Sequence, residues 1–166
     1  MIHPTIESFI CSDVEQLMIP ADDVASVISS HTLNHGLLVL SQVKYSMIPV
    51  LSPKSQLVGL ISMPLIINAA VTLNSIDIER LDQLNIADVM RTDMKLIGLD
   101  TPFEFIFREL IDHNFVCVVD PDQGDKFIGL ITRREILKRL NHFVHKVSNN
   151  PVITEQVEAM QQVLTR

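Results

Sequence analysis

The chain has 166 residues, 47 % of them apolar and 20 % charged, with five Gly, eight Pro and a formal net charge of −7. This composition suits a folded domain with one sizeable core or two small ones and excludes a disordered or low-complexity chain. The acidic balance argues against a general nucleic-acid binder, which needs a broad basic face, but leaves room for a small anion held by a local cluster of cations.

In chain order, Val14, Leu17 and Met18 have the i, i+3, i+4 spacing of a short amphipathic helix. Val24–Ile28 suits a strand, Leu33, Leu37 and Leu40 give a helix face, and Met47–Leu51 is a second strand. After the turn Ser52–Ser55 comes the strand Leu57–Ile61, and Ser62 is placed to cap a helix through Leu65, Ile66, Ile67 and Ala70. Asp77–Leu84 reads as a charged connector, and then the order repeats. Ile86–Met90 is a short helix and Lys95–Leu99 a strand. Thr101-Pro102-Phe103-Glu104 starts a helix with its apolar face on Phe103, Ile106, Phe107, Leu110 and Ile111. Phe115–Val119 is a strand, Asp120–Asp125 a turn, and Phe127–Ile131 a strand that runs into the last helix.

Repetition is exact enough to count. Val58-Gly59-Leu60-Ile61-Ser62 matches Ile128-Gly129-Leu130-Ile131-Thr132 at a spacing of 70, and Met47–Leu51 matches Phe115–Val119 at a spacing of 68. Two units of strand, helix, strand, strand, helix therefore follow one another, each too small to bury its own core. The expected fold is α+β, with the units packed about a pseudo-two-fold axis. The polar segment after about Lys146 ends in a weakly amphipathic stretch, Val157–Leu164, expected to be mobile or to dock loosely.

Chemistry concentrates at the second strand–helix junction. Thr132 and Glu135 have the spacing of a capping box, and Arg133 and Arg134 fall in the first helical turn. Cations there oppose the helix dipole, so local stability does not account for them, whereas a phosphate at a helix N-terminus does. Plainer readings of the same residues are a cap alone, two solvated arginines, and core packing for Tyr45, the one tyrosine. Pro49 within a strand marks an edge or the end of pairing. Neither the six histidines, including the His142/His145 pair, nor Asp120, Asp122 and Asp125 show a metal-site pattern. No P-loop or nucleophile elbow is present, so the chain offers no catalytic candidate. Cys11 and Cys117 form no motif and read as buried thiols. The opening Met1-Ile2-His3-Pro4 lacks a basic n-region and no apolar run spans a bilayer, so a cytoplasmic chain is expected.

The duplicated unit closing on Gly-Φ-Ile-(Ser/Thr) resembles the CBS-domain pair, or Bateman module, over roughly residues 13–145, with repeats at 13–73 and 85–145 and a tail at 146–166. Within that family the chain is similar to the small stand-alone cyclic di-AMP-binding CBS proteins of Gram-positive bacteria, the CbpB and DarB group. The segments that carry this are Gly36–Leu40, Tyr45–Leu51, Glu79–Leu84, Asn114–Val118 and Thr132-Arg133-Arg134. The resemblance implies a non-catalytic homodimeric sensor without a cofactor. It implies that the ligand-free form stimulates the guanosine tetra/pentaphosphate synthetase Rel in the stringent response, that cyclic di-AMP blocks this, and that some relatives act on pyruvate carboxylase. It places a nucleotide between the repeats, with Asp23, Val24 and Ala25 and then Tyr45, Ser46, Met47, Ile48 and Pro49 opposite Thr132, Arg133, Arg134 and Glu135. Val24, Ala25, Ile48 and Pro49 would form the adenine slot, Tyr45 would stack, and the arginines would grip phosphates.

Two departures mark the match. Relatives tend to carry a lysine at the place of Asp23, so a cation near the phosphates is missing. Glu135 stands where AMP- or ATP-binding CBS motifs keep an aspartate for the ribose diol, which keeps an adenylate energy sensor as the alternative. A ligand-free dimerisation scaffold is the third reading. The pseudo-symmetric site, pairing Lys95, Leu96, Ile97 and Val116 with Ser62–Leu65, is expected to be the weaker one.

Overall fold

The computed structural model describes residues 14–43, 45–71 and 77–149. Cys11 and the segment Val157–Leu164 lie outside them. The first unit runs β2 (Val27–Ile28), α1 (Leu33–Gln42), β3 (Met47–Leu51), β4 (Leu57–Ser62), α2 (Met63–Ala70), preceded by a two-residue strand β1 (Ile19–Pro20). A short helix α3 (Arg80–Gln83) leads to the second unit, β5 (Leu96–Ile97), α4 (Phe103–Asp112), β6 (Phe115–Asp120), β7 (Lys126–Thr132) and α5 (Arg133–Ser148). One sheet has the order β2-β3-β4 and the other β1-β7-β6-β5, with the pairs β2/β3 and β5/β6 parallel and the hairpins antiparallel. The duplicated α+β architecture read from the sequence is the one observed.

Both faces of each sheet are covered, which is why β4 and β7 read as continuous apolar runs rather than alternating ones. Ile61 and Ile131 face their own helices, whereas Leu57, Leu60, Cys117, Val119, Phe127 and Leu130 form a third cluster between the two sheets. Burial pushes the Cys117 thiol up to about 12, so it is a neutral core side chain. The hairpin turns join the sheets at one end: Leu57 N–H donates to the Asp125 carbonyl at 3.0 Å and Phe127 N–H to the Ser55 carbonyl at 2.9 Å.

The segments that lead into each unit are exchanged. Val14 and Leu17, in a single 3-10 turn, pack in the core of the second unit, and Leu81 and Ile86 pack in that of the first. Ile19 then pairs with Leu130 as β1 joins β7, and Arg91 pairs with Leu60 in the equivalent bridge. Each crossing chain passes directly over a glycine. A β-carbon at Gly59 would lie 2.6 Å from Met90 Sδ and 3.0 Å from the Arg91 carbonyl oxygen, and one at Gly129 would collide with the Ile19 carbonyl oxygen. The glycine of the repeated signature is thus a close-approach residue.

Several local expectations are corrected. Strand Val24–Ile28 shortens to Val27–Ile28, because Pro49 has no N–H to extend the ladder beyond Val50. The equivalent ladder in the second unit, with Cys117 at that place, reaches one residue further through Leu96. Ser62 stands at the N-cap of α2 without a side-chain bond, and Thr101 accepts from Gly98 N–H at 3.0 Å in the preceding turn instead of capping α4. Ile111, one residue past the buried stripe Phe103, Ile106 and Leu110, is 65 % exposed. The connector Asp77–Leu84 contains α3, anchored by the buried Leu81. The helices foreseen at Val14–Met18 and Ile86–Met90 are 3-10 turns.

Candidate functional site

The junction of β7 and α5 is built as its residue types require. Thr132 pairs with Phe115 at the end of the β6/β7 ladder, and its Oγ1 accepts the Glu135 N–H at 3.1 Å. That bond is half of a capping box. The Glu135 carboxylate turns along the helix instead, 3.2 Å from Lys138 Nζ and 3.9 Å from Arg139 Nε. Arg139 also donates to the Gln16 carbonyl, tying α5 to the exchanged leading segment.

The two arginines diverge. Arg133 Nε donates to the Leu110 carbonyl at 2.7 Å and Nη2 to the Ile111 carbonyl at 3.1 Å. A cation on the last carbonyls of α4 is favoured by that helix's dipole, so the junction's first arginine has a structural post. Arg134 is exposed and lines a cleft of about 390 Å³ together with Ile19, Tyr45, Ser46, Met47, Asn114, Phe115, Thr132, Glu135 and Lys138. One wall is apolar (Ile19, Met47, Phe115), Tyr45 stands at the rim 48 % exposed, and Arg134 and Lys138 share a face of α5 one turn apart.

Of the residues named from the sequence, the cleft brings together Tyr45, Ser46, Met47, Thr132, Arg134 and Glu135. Arg133, the first residue of α5, does not line it and is held instead on the carbonyls at the end of α4. Ile48 is buried in the first unit's core and Pro49 is buried in the middle strand of its sheet. Asp23 is exposed on the turn after β1, Val24 packs against the inter-sheet cluster, and Ala25 is half-buried; none of the three lines the cleft. Ile19, Asn114, Phe115 and Lys138 were not named. Asn114 and Phe115 were findable as the repeat equivalents of Ser46 and Met47, and Lys138 as the i+4 neighbour of Arg134. Ile19 had no local signal.

A second cleft of about 290 Å³ adjoins the first across Ser46, Met47, Asn114 and Phe115, with Arg91, Asp93, Lys95, Asp112 and His113 on its far side. Its cations are already engaged: Arg91 meets Asp93 at 2.6 Å and Lys95 meets the buried Glu109 at 2.6 Å. The hydrogen bond from Arg91 holds the Asp93 carboxyl below the usual carboxylate range. Of the residues expected here, Lys95 and Val116 line the cleft and Leu96, Ile97 and Ser62–Leu65 do not. Among the described residues, no three metal-ligating side chains come together, and no helix is long and apolar enough to cross a membrane.

Two exchanged strand–helix–strand–strand–helix units with clefts where their sheets meet are the architecture of a CBS pair, and the family model of the CBS domain matches residues 86–142. The chain belongs to the CBS-domain family. It is 38 % identical over 148 residues to cyclic di-AMP receptor B of Bacillus subtilis (strain 168), covering 89 % of this chain and 99 % of that protein. The Listeria monocytogenes CbpB protein, solved in complex with cyclic di-AMP, is 44 % identical with a TM-score of 0.74 over 80 % of this chain and 97 % of that one. A further CbpB structure, also with cyclic di-AMP, is 29 % identical with a TM-score of 0.78 over 88 % of this chain and 95 % of its own.

Proposed function

We propose that the chain is a non-catalytic receptor for cyclic di-AMP, which binds in the cleft lined by Tyr45 and Arg134. The observation that carries this reading is the composition of that cleft. It joins an apolar wall, a rim tyrosine, the N-terminus of a 16-residue helix and two cations on that helix, in a chain akin to proteins bound to this ligand. The exposed Arg134 guanidinium suits bidentate contact with a phosphodiester of the dinucleotide, and Lys138, paired with Glu135 at 3.2 Å, stands one helical turn away.

Glu135 favours a second reading, because the residue lines the same cleft and a mononucleotide, unlike the cyclic dinucleotide, offers a ribose cis-diol for which its carboxylate would leave Lys138. Titration calorimetry with cyclic di-AMP, AMP and ATP separates the two. Micromolar or tighter binding of cyclic di-AMP is expected; binding of AMP or ATP with none of cyclic di-AMP would transfer the role to an adenylate sensor. We infer further that the receptor acts as a homodimer on a partner enzyme, by resemblance the Rel synthetase. Ligand control then requires that free and occupied forms differ in affinity for that partner. Pull-down from the source cell with and without cyclic di-AMP tests this, and a partner recovered equally in both would contradict it.

A further inference from the structure

Among the described residues Glu109 is the one charged side chain that is buried, 6 % exposed on the last turn of α4. Its carboxylate meets Lys95 Nζ, just before β5, at 2.6 Å, and the same ammonium lies 5.8 Å from the centre of the Phe105 ring, one turn earlier on α4. Lys95 therefore ties the helix to the sheet at two successive turns. A buried ion pair seldom stabilises a fold more than apolar side chains of the same volume, so stability alone does not account for this one. The carbonyls of Leu110 and Ile111, the two residues after Glu109, hold Arg133, and the Arg133 N–H donates to the Asn114 carbonyl at 2.8 Å. The two repeats supply an internal comparison. Seventy positions before Lys95, Glu109 and Arg133 stand Ala25, Val39 and Met63, and Pro64 stands at the place of Arg134. Ion pair, clamp and cleft arginine occur together in one unit and are absent together from the other.

Resting on the receptor reading above, we propose that Glu109 is a positioning residue for the nucleotide, acting through Arg133. Its pair with Lys95 fixes the last turn of α4 against the sheet, and the carbonyls of that turn fix Arg133. Arg133 in turn sets the start of α5, from which the neighbouring Arg134 reaches the ligand. Neither Glu109 nor Arg133 lines the cleft, so neither acts by contact. A guanidinium grips a phosphodiester through two parallel N–H groups, and that geometry is lost when the helix start shifts. The sign of the effect separates this role from simple electrostatics. Removing a carboxylate near an anionic ligand strengthens binding when only the field acts; loss of positioning weakens it.

The test is calorimetric titration of cyclic di-AMP into the full chain and into Glu109→Val, Glu109→Gln, Arg133→Met and the Glu109→Val/Arg133→Met double variant. Val and Met are the residues of the first repeat, and Lys95, 61 % exposed, stays in water when its partner is removed, so folded proteins are expected. Glu109→Val is expected to weaken cyclic di-AMP about tenfold, and Arg133→Met by a similar factor. The double variant should lose little more than either single one, because one route is cut twice. Glu109→Gln keeps an acceptor for Lys95 and should retain most of the affinity. Unchanged or tighter binding in Glu109→Val, additive losses in the double variant, or a Gln variant as weak as Val overturns the positioning role and leaves the receptor reading intact. Unchanged affinity in Arg133→Met overturns it equally, whatever the fate of the variants at Glu109. Absence of cyclic di-AMP binding by the unaltered chain overturns both.

Discussion

Arg133 and Arg134 are adjacent on one helical turn, and their surroundings give them opposite duties. Arg133 secures the end of α4 through the Leu110 and Ile111 carbonyls, whereas Arg134 faces the cleft. Replacing Arg133 by Ala removes two charge-assisted bonds that are partly exposed, so a loss of about 1–2 kcal/mol and a fall of a few degrees in Tm are expected in scanning calorimetry. Replacing Arg134 by Ala should leave Tm nearly unchanged and weaken cyclic di-AMP by about ten- to a hundredfold. Equal stability losses in the two variants would contradict the division. The pair is legible in the sequence as a source of cations at a helix start. The division is not, because the carbonyls that claim Arg133 lie on another helix more than twenty positions away.

At the scale of elements, the crossing of β1 over β7 fixes one wall of the cleft through Ile19. Gly129→Ala places a β-carbon against the backbone of that crossing strand, which has nowhere to move without leaving the ladder. A loss on the order of 3 kcal/mol is expected, with weakened nucleotide binding because Ile19 is displaced. Gly59→Ala meets chiefly the flexible Met90 thioether and should cost less in the same denaturation series. A larger cost at Gly59 would contradict this account of the signature glycine. The Gly-Φ-Ile-(Ser/Thr) motif is visible in the sequence at both places, along with every hairpin and main helix. What it packs against, Met90 and Arg91 at one copy and Met18 and Ile19 at the other, is distant in the sequence and leaves no periodicity of its own. Short elements fared worst for a related reason: β2 and β5 hold two residues each, and their ends are decided by Pro49 and by the Gly98–Thr101 turn.

For the whole molecule, exchange of the leading segments makes each core depend on residues that precede the other unit. Leu17 is 1 % exposed in the second unit's core although it precedes the first unit. Leu17→Ala should therefore cost about 2–5 kcal/mol, and hydrogen exchange should quicken first at Val116, Val118 and Ile131. Selective loosening of Val50 and Ile61 would contradict the exchange. The pseudo-symmetry also creates two adjoining clefts that differ in how their cations are used. In one, Arg91 and Lys95 are bound to Asp93 and Glu109; in the other, Lys138 is bound to Glu135 and Arg134 is exposed along the cleft. The sequence distinguished the clefts by counting arginines at the strand–helix junctions. It did not show Arg91, whose cleft position follows only from the crossing strand. It also assigned the apolar slot to Ile48 and Pro49, which a fully covered sheet turns inward. A crystal structure of the chain grown with cyclic di-AMP measures the outcome directly. Ligand density between Tyr45 and Arg134, with the phosphates at Arg134 and Lys138, is the expected result; density in the Arg91–Lys95 cleft, or in neither, would contradict it.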